Sequence, residues 1–297
     1  MTAPEPEEHA TVHEEIHWQC DGKGLRVGVD RAGTGPAVLL LPALSSISTR
    51  GEMRALQALL ARSFTAVAVD WPGFGDSPKP YVDWRPDLYL AFLDHLFTHA
   101  APAPHATIAA GHAAGYLVRH VARHSRAAGR LVLLSPTWRG PLPTMMGRRS
   151  PFFRGIARAI DLPVVGPLLY RLNVNRIVVS MMARGHVYAD SRWLTGRRLE
   201  AKLAVVSAPG ARHSSARFVT GGLDPFPSRQ EFLDCVRAVS DPVMALFSEN
   251  APRKSRAEME ALAALPQVTT VRLPAGKLSV YEEFPGETAR AIAQFIA

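Results

Sequence analysis

A small number of side chains in this sequence could transfer a proton or attack a carbonyl group. His112 lies in a glycine-flanked segment, residues 111–115 (Gly-His-Ala-Ala-Gly), and its imidazole could act as a base. Lys277 could act as an amine base, or form a Schiff base, where burial lowers the pKa of its ammonium group. Tyr281 could donate a hydrogen bond, and Glu249 offers a carboxylate. The structural alternatives are a buried histidine bound to a backbone carbonyl and an exposed loop lysine.

Metal ligands are sparse in the sequence. His120 and His124 are four residues apart on a predicted helix, and that spacing can hold a metal ion, but the sequence offers no third ligand beside them. Cys20 and Cys235 are far apart and lack the spacing of a metal site. No glycine-rich segment forms a phosphate-binding loop. We therefore predict neither a metal ion nor a cofactor.

The hydrophobic pattern predicts the framework that must position these residues. Short apolar runs bounded by turn residues are typical of buried strands. These runs cover residues 37–41, 65–70, 106–110, 131–135, 242–247 and 268–273. Helical segments separate most of them, which predicts an α/β architecture with a doubly wound, mostly parallel sheet and helices on both faces. Ligands bind such sheets at the carboxyl ends of their strands.

A long helical stretch interrupts this alternation. Residues 139–238 contain no clear strand and several apolar segments that carry arginine. Such an excursion within an α/β sheet is typical of a cap. We predict a core formed by residues 17–138 and 239–297, a helical cap over residues 139–238, and a flexible N-terminal segment over residues 1–16.

Two motifs make the chain resemble the α/β-hydrolase fold superfamily. Residues 69–77 (Val-Asp-Trp-Pro-Gly-Phe-Gly-Asp-Ser) match that family's Asp-x-x-Gly-x-Gly-x-Ser turn after a core strand. Residues 111–115 follow a buried strand and open a helix, as the family's nucleophile elbow does. The resemblance covers residues 25–138 and 240–297, and it implies a catalytic triad with an oxyanion hole.

The triad positions that the resemblance implies depart from the family pattern. The middle residue of the elbow is Ala113, and a methyl group cannot attack a carbonyl. The acid position falls on Asn250, with Glu249 as a possible substitute, and the base position falls on Lys277. No histidine follows His213, so realignment cannot restore the base. Because removal of a serine triad costs about 10⁶ in rate, the chain is expected to be a poor hydrolase.

The implied oxyanion loop is altered as well. Pro42 and Ala43 stand where the family often has His-Gly. The backbone N–H groups of Leu44 and Ala114 could still face one cavity and bind a carbonyl or carboxylate oxygen. The hydroxyl of Ser45 could contact a ligand there too. We expect a largely apolar pocket between this loop, the elbow and the cap.

Positive charge is concentrated in the predicted cap. The whole chain has a net charge of +8, whereas residues 139–217 hold fourteen basic and three acidic side chains, a net charge of +11. Residues 151–160 and 176–184 combine apolar faces with arginines, a pattern that suits an anionic membrane surface or an acidic amphiphile. The simpler explanation is a cap with its apolar face on the pocket and its arginines in water. No nucleic-acid-binding motif accompanies the charge, so we expect no nucleic acid partner.

Three functions remain compatible with the sequence. The first is a non-hydrolytic binder, or pseudoenzyme, for an apolar or amphipathic small molecule. The second is an enzyme with non-standard residues, either a weak esterase or a lyase or isomerase, and the third is a membrane-peripheral or partner-binding scaffold. The acidic start and the lack of a long apolar run predict a cytoplasmic protein, with a peripheral membrane location as the alternative.

Overall fold

The computed structural model describes residues 10–124 and 127–297, and its described backbone contains an eight-stranded sheet. The strands are β1 (Val12–Cys20), β2 (Lys23–Ala32), β3 (Ala37–Leu41), β4 (Thr65–Val69), β5 (Ala106–Ala110), β6 (Arg130–Leu134), β7 (Val243–Ser248) and β8 (Val268–Leu273). They lie in the order β1-β2-β4-β3-β5-β6-β7-β8. Strand β2 is antiparallel to both of its neighbours, and the pairs from β4 to β8 are parallel. The predicted mostly parallel α/β sheet is confirmed.

Strand β1 overlaps the predicted flexible N-terminal segment. Residues 12–16 pair with β2, with Val12 opposite Arg31 and Ile16 opposite Val27, so this part of the segment is a strand. Its alternation of exposed and buried side chains is weak, because most of β1 faces solvent. Residues 1–9, the rest of the predicted segment, lie outside the described residues.

Helices cover both faces of the sheet, which explains the continuous apolar runs in the central strands. Strand β3 shows this directly: Leu39 and Leu41 pack into one core cluster, and Val38 and Leu40 into the other. The core helices are α1 (Arg54–Leu60, after a 3₁₀ turn over Arg50–Met53), α2 (Pro86–His99), α3 (Ala113–Val121), α10 (Arg229–Ala238), α11 (Arg253–Ala263), α12 (Val280–Glu283) and α13 (Pro285–Ile296).

The cap-like insertion follows β6. Its helices are α4 (Pro141–Met146), α5 (Pro151–Asp161), α6 (Val165–Asn173), α7 (Arg176–Met182, continued by a π-helical turn over Ala183–Val187), α8 (Gly196–Ser207) and α9 (Ala211–Val219). The predicted cap extended to residue 238, but α10 packs against α3 and α11. Phe232 and Val236 of α10 belong to the main core cluster, so the contacts place this helix with the core.

The insertion has small apolar cores of its own. One joins α5, α6 and α9 through residues such as Ile160, Tyr170 and Ala216. The other joins α7 and α8 through residues such as Val179 and Leu199. Among the described residues, no helix combines the length and apolarity needed to cross a bilayer.

Candidate functional site

The sharp turn between β5 and α3 lies at Gly111, two residues before the position that the sequence motif indicated. Gly111 has a φ of +52°, which lies in the left-handed region that glycine adopts without steric cost. Ala113 is instead the first residue of α3 and is completely buried. In the hydrolase fold, the attacking side chain sits on the sharp strand-to-helix turn. The tip of this turn therefore carries no side chain.

The turn faces the loop after β3, as an elbow should face its oxyanion loop. A Cβ atom built on Gly111 would lie 3.2 Å from the Cβ of Ala43. Leu44, the next residue of that loop, is fully buried, and the hydroxyl of Ser45 shares a 2.7 Å hydrogen bond with that of Ser48. The N–H of Ala114 donates to the carbonyl of Gly111 at 3.3 Å.

His112 fastens a neighbouring loop to α3. Its Nε2 lies 2.9 Å from the carbonyl oxygen of Leu223, to which the hydroxyl of Tyr116 also donates at 2.6 Å. Burial lowers the pKa of His112, so the imidazole is neutral and donates from Nε2. The other ring nitrogen, Nδ1, is buried and has no hydrogen-bond partner among the residues that the structure describes. These contacts support the structural explanation of His112 rather than a role as base.

The loops that should carry the acid and the base are bound to each other through backbone carbonyls. Asn250 Nδ2 donates to the carbonyl of Pro274 at 2.7 Å, and Ser248 Oγ donates to that of Gly276 at 2.8 Å. Lys277 Nζ donates to the carbonyl of Arg184 in the cap at 2.6 Å. Glu249 is exposed. Neither loop therefore presents a carboxylate–base pair, and Lys277 connects the core to the cap.

A buried charged cluster, which the sequence interpretation missed apart from Tyr281, joins the cap to the core. Tyr281 Oη donates to Glu52 Oε2 at 3.0 Å, and Lys202 Nζ contacts Glu52 Oε1. Lys202 Nζ also lies 3.8 Å from Glu282 Oε2, and Tyr188 Oη donates to Glu282 Oε1 at 2.8 Å. Lys202 and Tyr188 belong to the insertion, whereas the other three residues belong to the core. We call these five residues the cap–core cluster.

Glu52 is the member of this cluster whose charge changes near neutral pH. Burial raises its pKa to about 7, with a further contribution from Glu282, although Lys202 opposes the shift. Burial also raises the pKa of Tyr281. Because the carboxylates outweigh its burial, the pKa of Lys202 is raised as well. No local pattern could reveal this cluster, because Glu52, Lys202 and Tyr281 are far apart in the sequence and meet only in the fold.

A second charged cluster explains the Asp-x-x-Gly-x-Gly-x-Ser turn. The Arg50 guanidinium lies 2.6 Å from Asp70 Oδ2 and 2.7 Å from Asp30 Oδ1, and it also contacts Asp76. A Cβ atom on Gly75 would lie 2.2 Å from Asp70 Cγ, so only glycine fits there. Burial and the neighbouring Asp76 raise the pKa of Asp70 to about 8. This motif therefore has a structural role in the chain.

Two surface cavities are present whose lining residues include neither Gly111 nor the loop after β3. An open groove of about 1100 Å³ borders β1 and β2 and is lined by Arg50, Asp76 and Lys79 among others. A smaller cavity of about 430 Å³ is lined by residues that include Trp138 and Arg149. An aromatic ring of the cap packs on the turn itself. The ring of Phe218 on α9 meets that of His112 edge to face, with their centroids 5.5 Å apart.

Comparison with known proteins agrees with this architecture. The model of a family described as "Alpha/beta hydrolase family" matches residues 38–291. Among curated proteins, none matches the chain significantly.

Solved structures share the fold at low identity. Cfl2 from Burkholderia cenocepacia is 19% identical with a TM-score of 0.74, and the match covers 99% of this chain and 98% of Cfl2. A serine hydrolase involved in carbazole degradation, the CarC enzyme, is 17% identical with a TM-score of 0.70, covering 96% and 99% of the two chains. The haloalkane dehalogenase DatA from Agrobacterium tumefaciens C58 is 15% identical with a TM-score of 0.70, covering 96% of each. At such identities the likeness shows the fold alone, whereas the family match covers most of the sequence. This chain belongs to the alpha/beta hydrolase family.

Proposed function

We propose that this protein is a non-hydrolytic member of its family, a pseudoenzyme that binds an apolar or amphipathic small molecule between core and cap. One observation carries the proposal. The turn that should present the attacking atom has Gly111 at its tip, and the loop after β8 offers Lys277, whose Nζ is already bound to a cap carbonyl. No alternative nucleophile–base pair occupies this edge among the described contacts.

The rest of the ligand-binding architecture supports a retained binding role. The elbow still faces the β3 loop. The insertion contacts the elbow through Phe218 and the loop after β8 through Arg184, at the carboxyl ends of the strands, where α/β sheets bind ligands. Substrate binding and backbone N–H donors alone give a rate enhancement of roughly 10³–10⁴ over the reaction in water, far below the enhancement that an intact triad gives. Such a site can therefore bind a small molecule without hydrolysing it at a significant rate.

The surrounding side chains support an apolar ligand. Leu44, Trp71, Phe74 and Trp138 lie in one buried apolar cluster on this side of the sheet, and Phe218 of α9 packs against it. A ligand admitted here would replace contacts between apolar side chains, which favours hydrocarbon over a strongly polar molecule.

The missing attacking atom predicts a clear result with a fluorophosphonate probe. We expect no covalent labelling of the wild-type protein. We also expect none for Ala113→Ser, because residue 113 belongs to α3 and is buried. None is expected for Gly111→Ser either, since a hydroxyl at the tip still lacks an imidazole to accept its proton. Mass spectrometry of the intact protein provides the measurement. A catalytically active serine esterase labelled in parallel provides the positive control, and labelling of the wild type would contradict the proposal.

Ligand binding can be tested with the apolar fluorophore Nile red. The Ala43→Leu variant is expected to weaken the binding of the dye at least tenfold, because the larger side chain fills the space next to Gly111. The matched control is Ala261→Leu, which enlarges a similarly half-buried alanine on the distant helix α11. Equal affinities of the wild type and both variants in a fluorescence titration would place the dye elsewhere and remove this support.

A proton-transfer enzyme, either a lyase or an isomerase, is the second candidate. The specific observation is the buried Glu52 carboxyl, whose pKa of about 7 and contact with Tyr281 suit a general acid or base. A panel of chromogenic esters and enolisable ketones separates the candidates. Wild-type turnover that falls at least 100-fold in Tyr281→Phe would favour the enzyme, whereas no turnover favours the binder.

A further inference from the structure

The insertion exposes an unusual amount of apolar surface. Twelve large apolar side chains are strongly exposed in the described part of the chain, and ten of them lie within residues 145–181. These ten are Met145, Met146, Phe152, Leu162, Val164, Val165, Leu168, Leu172, Ile177 and Met181. We call them the cap face. Soluble monomers rarely expose so many large apolar side chains within one segment without a binding role.

The fold does not need these side chains for its own packing. On α5, Phe153 and Ile160 are buried within the protein, whereas Phe152 is 72% exposed. On α6, Tyr170 packs into a small cap core while Leu168 points outward at 63% exposure. The inner positions already form the apolar clusters of the insertion. The outward-facing side chains are therefore available to contact the surface of another molecule.

The charged side chains of the cap-face segment are almost all positive, although Arg149 pairs with Asp224 and Arg176 with Glu200 from outside it. Residues 145–184 contain seven arginines and one acidic residue, Asp161. All seven arginines are exposed, at positions 148, 149, 154, 158, 171, 176 and 184. Asp161 is already neutralised, because its carboxylate lies 2.7 Å from His213 Nδ1 and 3.0 Å from Arg217. This surface is thus apolar and cationic, with no free acid within the segment.

We propose that the cap face docks on the surface of an anionic lipid bilayer. Helices that carry apolar side chains among arginines lie in the interface, with the apolar chains at the headgroup–acyl boundary and the arginines at the lipid phosphates. A bilayer accounts for both properties at once, because it offers hydrocarbon and a dense negative charge over the whole breadth of α5 to α7. Docking there would bring the cap, which covers the proposed ligand site, into contact with amphipathic molecules. The lipid proposal stands on the surface alone and does not depend on the proposed function.

Vesicle co-sedimentation tests this proposal. We expect the full chain to bind phosphatidylcholine vesicles that contain 30% phosphatidylglycerol at least tenfold more tightly than pure phosphatidylcholine vesicles. Raising the salt from 0.1 M to 0.5 M should weaken binding, because the attraction is partly electrostatic. An Arg154→Gln/Arg158→Gln variant should lose about fivefold per arginine in affinity for the anionic vesicles.

A second variant, with its own control, tests whether the apolar side chains enter the bilayer. Leu168→Asp/Ile177→Asp should reduce vesicle binding at least tenfold while leaving the unfolding temperature unchanged, because both side chains are exposed. Val12→Asp, which alters an exposed apolar residue outside the insertion, should bind like the wild type. Equal binding of all variants, or binding without dependence on anionic lipid, overturns the proposal. Binding to an acidic protein but not to vesicles overturns it as well.

A separate observation points to a metal site at the C-terminal end of α3. His120 Nδ1 and His124 Nε2 lie 3.4 Å and 3.7 Å from Asp94 Oδ1 of α2. One ligand atom from each residue lies within 4.8 Å of the others. Asp94 supplies the third ligand that the sequence alone did not show.

We infer that Asp94, His120 and His124 form a divalent transition-metal site of the zinc type. Two imidazoles and one carboxylate are common zinc ligands, and exposed Asp94 and His124 leave a position for water. The Nε2 of His120 is buried without a partner among the described residues, so coordination through Nδ1 leaves that N–H unsatisfied. A ligand histidine without such support typically binds its metal 10- to 100-fold less tightly. The site is therefore expected to be weak and exchangeable.

Calorimetric titration with ZnCl₂ tests this site. One equivalent should bind the wild type and raise its unfolding temperature, and affinity should fall at least tenfold in His124→Ala and in Asp94→Asn. His99→Ala is the matched control, because this exposed histidine of α2 lies outside the cluster. Unchanged affinity in both cluster variants, or no binding by the wild type, overturns the inference.

Discussion

Replacing Arg50 with alanine is expected to lower the free energy of unfolding by about 3–5 kcal/mol. The guanidinium contacts three carboxyl groups, and two of them, those of Asp30 and Asp70, belong to side chains that are 5% and 0% exposed. Removing it leaves buried carboxyl groups without their cation, which costs far more than the loss of a surface pair. Urea denaturation monitored by circular dichroism gives the measurement.

The loss in the free energy of unfolding caused by Arg50→Ala is expected to grow with pH. The pKa of Asp70 is already raised to about 8, above its ordinary value, so its stabilising contribution is present at low pH and is lost as pH rises through 8. Without Arg50 that pKa rises further, and ionisation becomes costlier. The difference from wild type should therefore be larger at pH 9 than at pH 6.

A matched arginine separates this effect from a general loss of charge. Arg85 forms a bidentate pair with Asp21, but both side chains are nearly half exposed, so Arg85→Ala should change stability little. Arg50→Lys should recover only part of the stability, because an ammonium lacks the fork that reaches several carboxylates. A loss in Arg50→Ala as small as that in Arg85→Ala would show that the cluster is not stabilising.

The sheet could be predicted from the sequence because its strands have a distinctive local pattern of apolar residues. Strands β3 to β6 are covered by helices on both faces, so each is a short, nearly continuous apolar run between turn residues. The turn after β5 was misplaced by two residues for a related reason. Residues 109–115 are glycine and alanine apart from His112, so no side chain distinguishes one register of the turn from another.

The remaining differences come from contacts between distant parts of the chain. Helix α10 is amphipathic like the cap helices, and only its packing on α3 assigns it to the core. Asp94 joins His120 because α2 packs on α3. Glu52 meets Lys202 across 150 residues. In each case the local sequence is compatible with either environment, and tertiary packing decides.

The cap–core cluster provides the second large expected effect. At pH 8, Lys202→Met should lower the free energy of unfolding by about 3–5 kcal/mol, because it leaves the Glu52 carboxylate buried beside Glu282 without a cation. The double variant Glu52→Gln/Lys202→Met should regain most of this loss, since an amide needs no cation. Glu52→Gln alone completes the double-mutant cycle, and the difference between the effect of the double variant and the sum of the two single effects measures the coupling of the pair. Arg176→Met, which breaks the exposed pair with Glu200, is the matched control and should change stability little.

The same cluster predicts how stability depends on pH. The folded pKa of Glu52 is about 7, against an ordinary value of 4.5, so the folded state holds a proton that the unfolded state has lost between these values. Its contribution is therefore complete below about pH 4.5 and is lost as pH rises through 7, a change of about 3 kcal/mol. Glu52→Gln should remove this part of the profile, and Lys202→Met should extend it to higher pH because the pKa of Glu52 rises further. Urea denaturation from pH 5 to 9 measures both effects. Parallel profiles for the wild type and Glu52→Gln would mean that Glu52 stays ionised in the folded protein, and Glu52 could then not serve as the general acid of the enzyme alternative.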